Sequence, residues 1–542
     1  MKLLLTGGLV IIVVAYLFTN KPLDRNSLFK YPDNYTWGNA PLSTAVLPFK
    51  IHIEKSILDD LQNRLKNWRK HSPMPNTNDS YGFVGEKLDK LILYWKSTYD
   101  WKKQENALNQ LPQFTTNIQG LKIHFVHAKG AGKARRRIPV LLLHGWPGSF
   151  VEFNRAIPIL LQSDKEGLAF DIVAPSIPGY GFSDSPNRPG FNPIAAAQVF
   201  KILMTRLGYD KFIIQGGDWG SIIGGVLSRM YPESIIGYHS NFATPPLETF
   251  IETMHFMAAL SFPKVFVDKN DIPKLEKVTL TNILEESGYS HIQATKPDTI
   301  GVALTDSPVG LCAWIVEKFI NYTDKAEFKG DHVDSGLSND NLLTNVMIYW
   351  TSNHAASSLR LYKYGFQVSL MMSLNFINLS NREAAQTKSD LDKWMSLPLR
   401  IPTGVTCYPK EGFCCPKALL VMVHKKLVHY EDTEKGGHFA AFEQPETYAT
   451  DFRKAARAFL ELETKVKSKT DKQEDKIKKH EAGKLNMQQP KQQSVTEKKK
   501  MEAIESSLQG SKPKPKKSND GATKLPGKGN TSQKRSKAEQ KQ

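Results

Sequence analysis

The chain has 542 residues, 40% hydrophobic and 10% aromatic, enough to bury a substantial core and too many for one small module. Four cysteines, two of them adjacent (Cys414-Cys415), exclude a disulfide-stapled secreted scaffold, and with no Cys-x-x-Cys or His-Glu-x-x-His spacing a zinc site is not expected. The formal charge of +18 would suit a nucleic-acid binder, but +13 of it falls in residues 465–542, leaving an ordinary +5 for everything before them.

At the amino end, Leu3 to Phe18 is apolar apart from Thr6, Gly7 and Gly8. As a helix it spans about 24 Å, slightly short of a ~30 Å hydrocarbon core. A cleaved signal peptide, an uncleaved anchor and a buried core helix compete for it. Only Lys2 precedes the run, and bulky Tyr16, Leu17 and Phe18 end it without a small-x-small cleavage site, which favours a membrane anchor over residues 1–20. Lys21, Arg25 and Lys30 follow it, so the positive-inside rule puts the body in the cytosol, and sparse cysteines agree with a reduced compartment. Glycan on Asn34, Asn78, Asn321 or Asn378 would reverse that topology.

Residues 30–117 predict a helical segment laid on something larger. Ile57, Leu58, Leu61, Leu65 and Trp68 share one helical stripe within 53–70, and Leu88, Leu91, Ile92 and Trp95 another within 81–99. From residue 118 to 244 the pattern changes. Short apolar runs (Leu121–His127, Ile138–His144, Phe170–Pro175, Phe212–Gln215, Ile235–His239) alternate with helix candidates at 151–161, 193–207 and 220–231. That alternation predicts an α/β fold, a mostly parallel sheet with helices on both faces. The alternation lapses into helical sequence over 245–395 and resumes over 396–462 with Ile401–Tyr408 and Leu427–Tyr430. A helical insertion between late strands, over the sheet's carboxyl edge, would be a lid.

The last stretch, 463–542, is rich in Lys, Gln, Ser and Pro and has no Phe, Tyr or Trp. Too little apolar area offsets its ordering entropy, so disorder is expected. It reads either as a solvated spacer or as an electrostatic tether to anionic lipid. With nothing to stack on bases, no specific nucleic-acid partner is expected.

Four motifs carry chemistry. Phe212–Gln215 runs into Gly216-Gly217-Asp218-Trp219-Gly220, a buried strand, a small-x-nucleophile-x-small turn and a helix: the nucleophile elbow of α/β-hydrolases with Asp in place of Ser. An Asp capping the helix is the plainer reading of that position. Leu141–Leu143 leads into His144-Gly145-Trp146-Pro147, where the backbone N–H of Trp146, with that of Trp219, would form an oxyanion hole; His144 itself reads as a structural loop residue. Glu411 follows the strand ending at Tyr408, and His438 lies in the glycine loop Gly436-Gly437-His438 after the last strand. Each motif alone has an ordinary structural explanation, but nucleophile, acid and His stand in the order this fold requires.

An Asp nucleophile attacks saturated carbon and leaves an alkyl ester, which water activated by His438, oriented by Glu411, must then cleave. Halide or the oxygen of a strained epoxide could be the leaving group. An epoxide oxygen needs a proton donor, for which tyrosine is suited. The insertion offers Tyr289 and Tyr362, although most tyrosines there would merely pack.

With these residues in place, the sequence resembles the microsomal-type epoxide hydrolases, the group that includes insect juvenile-hormone epoxide hydrolases. The resemblance covers roughly residues 30–460 and is carried by Trp37-Gly38, His144–Ser149, Pro175–Ser183, Gly216–Ser221, Thr295–Thr299, Asp306–Gly310 and Gly436–Phe442. It implies an α/β-hydrolase fold with a helical lid and no cofactor or metal. It also implies Asp218 as nucleophile, Glu411 and His438 as the charge-relay pair, and Tyr289 and Tyr362 as donors to the epoxide oxygen. An anchor in the endoplasmic reticulum membrane with a cytosolic body is typical of the group. The expected substrate is a small apolar epoxide, either a lipid epoxide resembling juvenile hormone or a xenobiotic one. The Lys-rich tail and the stretch Gly412-Phe413-Cys414-Cys415 depart from the group's pattern. The competing readings are a haloalkane dehalogenase and a catalytically silent membrane or RNA adaptor acting through the tail.

Overall fold

Runs rich in Val, Ile, Leu and Phe become the central strands of a nine-stranded sheet. The computed structural model describes residues 23–245, 247, 249–327, 333, 335–365, 382–465, 498–501 and 503. The expected anchor over 1–20 and nearly all of the expected tail lie outside the described residues. Residues up to Lys465 make one unit. Of the second unit, Val466–Gln542, residues 498–501 and 503 are helical.

The strands are β1 (Val46–Phe49), β2 (Gln113–Ile118), β3 (Leu121–Ala128), β4 (Arg136–Leu143), β5 (Leu168–Pro175), β6 (Phe212–Gly216), β7 (Ile235–Ser240), β8 (Thr403–Cys407) and β9 (Leu427–Asp432). Their order is β1-β2-β3-β5-β4-β6-β7-β8-β9. Strands β4 to β9 pair in parallel, whereas β1, β2 and β3 pair antiparallel with one another and β3 antiparallel with β5. The central strands are covered on both faces, so β5 and β6 are buried at every position.

Residues 30–117 were expected to be helical. Helices α1 (Lys55–Lys66), α2 (Glu86–Ser97) and α3 (Trp101–Leu108) do occur there, with Leu61, Leu65, Leu88, Leu91, Ile92 and Trp95 buried. The same stretch also supplies β1 and β2, so the sheet begins well before residue 118. Both escape the pattern of apolar runs. Strand β1 is a half-exposed edge carrying Pro48, and β2 reads Gln-Phe-Thr-Thr-Asn-Ile. The helix expected over 151–161 is divided into a 3-10 turn, Phe150–Phe153, and a short helix, Ala156–Leu161. Pro158 has no N–H to bond the carbonyl of Asn154, so one helix cannot run through.

Helix α4 (Pro193–Arg206) starts with proline at its first position and an Asn192 side chain that accepts the Ala195 N–H. Helix α5 (Asp218–Met230) follows β6 directly. Between β7 and β8 lies a helical insertion containing α6 (Phe250–Ser261), α7 (Leu280–Thr295), α8 (Pro297–Asp306), α9 (Pro308–Tyr322), α10 (Asn339–Thr351), α11 (Ala355–Gly365) and α12 (Arg382–Ser396). Pro297 and Pro308 each open a new helix, breaking the insertion into short rods. Helix α13 (445–465) closes the unit, three residues further than the expected core boundary.

A disulfide joins Cys407, at the end of β8, to Cys414, while Cys312 and Cys415 are free and buried. One local bond is no scaffold staple, but it is more oxidation than the sparse cysteines led us to expect. No single helix among the described residues is long and apolar enough to cross a membrane.

Candidate active site

The site gathers at the carboxyl ends of β4, β6, β8 and β9, where an open parallel sheet presents its loops. The turn from β6 into α5 holds Asp218 at φ = +47°, a left-handed conformation that a residue with a side chain adopts at a cost. A Cβ at Gly220 would run into the Leu143 carbonyl, so the elbow packs directly on β4 only because that position is glycine. Helix α5 is preceded by Gly217 with no side-chain cap. The Asp218 carboxylate does not serve as one; its Oδ1 accepts the Trp146 N–H at 2.8 Å. The Trp219 N–H also bonds that carboxylate.

Two loops bring up the partners. His438 lies beyond β9, its backbone N–H donating to the Tyr322 carbonyl of α9 at 2.9 Å. Its Nε2 is 3.7 Å from Asp218 Oδ2, and its Nδ1 is 2.9 and 3.0 Å from the two oxygens of Glu411. Glu411, on the loop after β8, is only 7% exposed and accepts the Gly412 N–H at 2.8 Å. A parallel bridge between Lys410 and Gly437 ties the two loops together beside the pair. Asp218, His438 and Glu411 therefore stand in one line, with His438 hydrogen-bonded to Glu411 and within ion-pair distance of Asp218. His144 stays apart from it: buried, its Nε2 accepts the Ile177 N–H at 3.1 Å, as fits a structural loop residue.

The insertion delivers the two tyrosines. Tyr289 of α7 and Tyr362 of α11 share a hydrogen bond, with ring centroids 6.2 Å apart. Tyr289 stacks on Trp146 at 5.2 Å, and Tyr362 meets Trp219 edge-on at 4.8 Å. The phenols thus rest on the two tryptophans whose backbone N–H groups hold Asp218.

Burial and neighbouring charge set the protonation states. Burial raises the Asp218 carboxyl above its ordinary value, against the opposing pull of His438 and the two N–H donors. Burial alone would lower His438. The Glu411 carboxylate and its hydrogen bond, followed by Asp218 and Glu152, outweigh that and push it up to about 10. At neutral pH the resting His438 is an imidazolium. Burial, with Asp218 nearby, raises both Tyr289 and Tyr362, so both phenols hold their protons.

Several site residues gave no sequence signal. Asn241, after β7, accepts from Gln215 at 2.7 Å and bonds the His438 carbonyl at 3.5 Å. Gln215 in turn accepts from the Tyr448 hydroxyl. Glu152 lines the same cavity as Asp218 and His438. Glu152 is set in the apolar run Phe150–Phe153, and Asn241 and Tyr448 stand in mixed polar sequence without a motif; the buried amide of Gln215, in the strand feeding the elbow, was the one available hint.

Comparison with known proteins gives a consistent outcome. Residues 46–153 match the family model described as epoxide hydrolase N terminus, and residues 138–265 that of the alpha/beta hydrolase fold. Epoxide hydrolase 1 of Sus scrofa is 38% identical over 81% of this chain and 95% of its own. Juvenile hormone epoxide hydrolase of Bombyx mori is 40% identical over 79% of this chain and 90% of its own. The crystal structure of the silkworm enzyme superposes with a TM-score of 0.69, covering 80% of this chain and all of that one, at 38% identity. The Aspergillus niger epoxide hydrolase structure gives 0.60 at 28% identity, over 80% of this chain and all of its own.

Proposed function

The chain belongs to the microsomal-type epoxide hydrolases and is an epoxide hydrolase, and on that premise we propose that it works through an ester on Asp218. An Asp218 oxygen bonds to one epoxide carbon as the C–O bond breaks. The oxygen set free takes a proton from Tyr289 or Tyr362, and the second phenol steadies the resulting phenolate. Esterification removes the Asp218 charge that helps keep His438 protonated, so the imidazolium can lose its proton to solvent and the neutral imidazole can act as base. A water then gives a proton to His438 Nε2 and attacks Cγ of Asp218. The tetrahedral oxyanion rests on the Trp146 and Trp219 N–H groups. On collapse, His438 protonates the departing alkoxide, the remaining carboxyl proton returns to the phenolate, and His438 regains a proton from solvent, restoring the resting imidazolium.

What carries this reading is the carboxylate of Asp218 held by two backbone N–H groups, with the His438–Glu411 pair beside it and two mutually bonded phenols on its tryptophans. Halide would leave without a proton and would need neither phenol, so the tyrosine pair disfavours a dehalogenase. A single turnover in heavy-oxygen water tests the ester: the first diol should carry no solvent oxygen, and Asp218 should acquire it. Solvent oxygen in that first diol would exclude the ester.

The helical insertion acts here as a lid, and an apolar epoxide of lipid or xenobiotic origin is the substrate class. Relatives include proteins named for juvenile hormone, so comparing turnover of juvenile hormone and styrene oxide decides between the two. The apolar stretch Leu3–Phe18 and the basic residues after it support an endoplasmic reticulum anchor with the body on the cytosolic side. Protease digestion of the body in sealed microsomes would agree; protection, with glycan at Asn34 or Asn321, would place it in the lumen.

A further inference from the structure

Next to the nucleophile lies a small cavity whose wall includes Trp146, Glu152, Asp218, Asn241, His438 and Tyr448. It leaves about 10 Å³ for the centre of a water molecule, room for one. Glu152 reaches it from the 3-10 turn Phe150–Phe153, its carboxyl accepting the Ser149 N–H. Space for that carboxyl is made by Gly148, where a Cβ would run into Glu152 Oε1. The groups facing Glu152 are His438, Asp218 and Glu443, with the phenols of Tyr349 and Tyr448. The ester mechanism as described gives this third carboxyl group nothing to do.

We infer that this cavity seats the hydrolytic water and that Glu152 orients it, accepting one of its hydrogens while the other points to His438 Nε2. Held at both hydrogens, the water directs a lone pair at Cγ of Asp218. Its proton passes to His438 as the O–C bond forms, and Glu152 keeps its own proton throughout. Burial first, then Asp218 and Glu443, push the Glu152 carboxyl up to about 8 against the pull of His438, so at neutral pH it is mostly the uncharged acid. That state matters, because an ionised Glu152 would hold His438 in its protonated form and block the base. The inference rests on the ester mechanism above and adds a residue to its second step.

Rapid mixing of the full-length protein with styrene oxide, followed by tryptophan fluorescence, separates ester formation from ester hydrolysis. With Glu152→Ala, ester formation should stay within about threefold of wild type while hydrolysis slows by roughly 10–100-fold. Glu152→Gln keeps an uncharged carbonyl acceptor and cannot ionise. It should hydrolyse within about tenfold of wild type at pH 7 and lack the decline at high pH expected of wild type as Glu152 ionises. The pH profile of Glu152→Gln decides the matter should the alanine variant fail to fold. Hydrolysis at the wild-type rate with the wild-type profile in these variants, or a parallel fall in both steps, would overturn the role of Glu152. Failure of the wild type itself to form an ester would instead overturn the mechanism on which the inference rests.

Discussion

At the scale of single residues, the proposed ester route makes His438 the pivot, because its charge must change between the two half-reactions. Paired with Glu411 and close to Asp218, it is protonated at rest. With Asp218 esterified, one of the charges raising its pKa is gone. Ester hydrolysis should therefore speed up as pH rises through the lowered pKa of the ester form. Alkylation should instead fade as pH drops through the raised pKa of Asp218, since only the carboxylate attacks. Pre-steady-state rates measured across pH for each step would show the two limbs; identical profiles would contradict the switch. His438→Gln should still alkylate and then stall, leaving an adduct on Asp218 visible by mass spectrometry of the intact chain. Tyr289→Phe and Tyr362→Phe should each slow alkylation, and the double variant should lose about 10²–10⁴-fold while leaving hydrolysis of a preformed ester nearly unchanged.

Among the elements, late strands and helix α13 are stitched together by a buried polar cluster distinct from the catalytic line. His239 of β7 bonds Thr406 of β8 at 2.8 Å, and His429 of β9 bonds Asp451 of α13 at 2.9 Å. Asp451 also accepts from Thr406 and lies 3.5 Å from His239 Nε2. Burial alone would raise the Asp451 carboxyl, but hydrogen bonds from His239 and His429 hold it well below the usual carboxylate range. A depressed folded-state pKa gives stability that is complete above the unfolded value of about 3.9 and is lost as pH falls below it. Asp451→Asn should therefore be less stable than wild type at pH 7, with the gap narrowing below about pH 4 in denaturant unfolding followed at several pH values. A gap that stayed constant with pH would show that the cluster acts by packing alone. The same elements set how much of the site was readable beforehand. Asp218 and His438 follow runs apolar enough to be recognised as strands, whereas β1 and β2 carry the mixed composition of an antiparallel margin and were not.

For the whole molecule, charge is divided unevenly: +13 of the net +18 lies in residues 465–542. If that tail serves as a tether, a chain ending at Lys465 should keep its epoxide turnover. It should bind vesicles containing anionic lipid more weakly, with a smaller loss of binding between 50 and 200 mM salt, on the order of 1 kcal/mol per basic residue engaged. Equal binding with and without the tail would leave it a spacer.

The order of strands and motifs was written in the sequence, because apolar runs long enough to bury themselves and glycines at a sharp turn leave local signatures. From these followed the α/β fold, the place of the proposed nucleophile Asp218 at the elbow and the later His438. Which carboxylate meets His438, how the two insertion phenols come to share a hydrogen bond, and the presence of Glu152 in the same cavity are pairings across tens or hundreds of residues. Such pairings depend on where loops and helices pack in three dimensions. A loop Glu, a packed Tyr and a buried acid in an apolar turn look alike in one dimension until their surroundings are fixed, and those surroundings set both their hydrogen-bond partners and their charge.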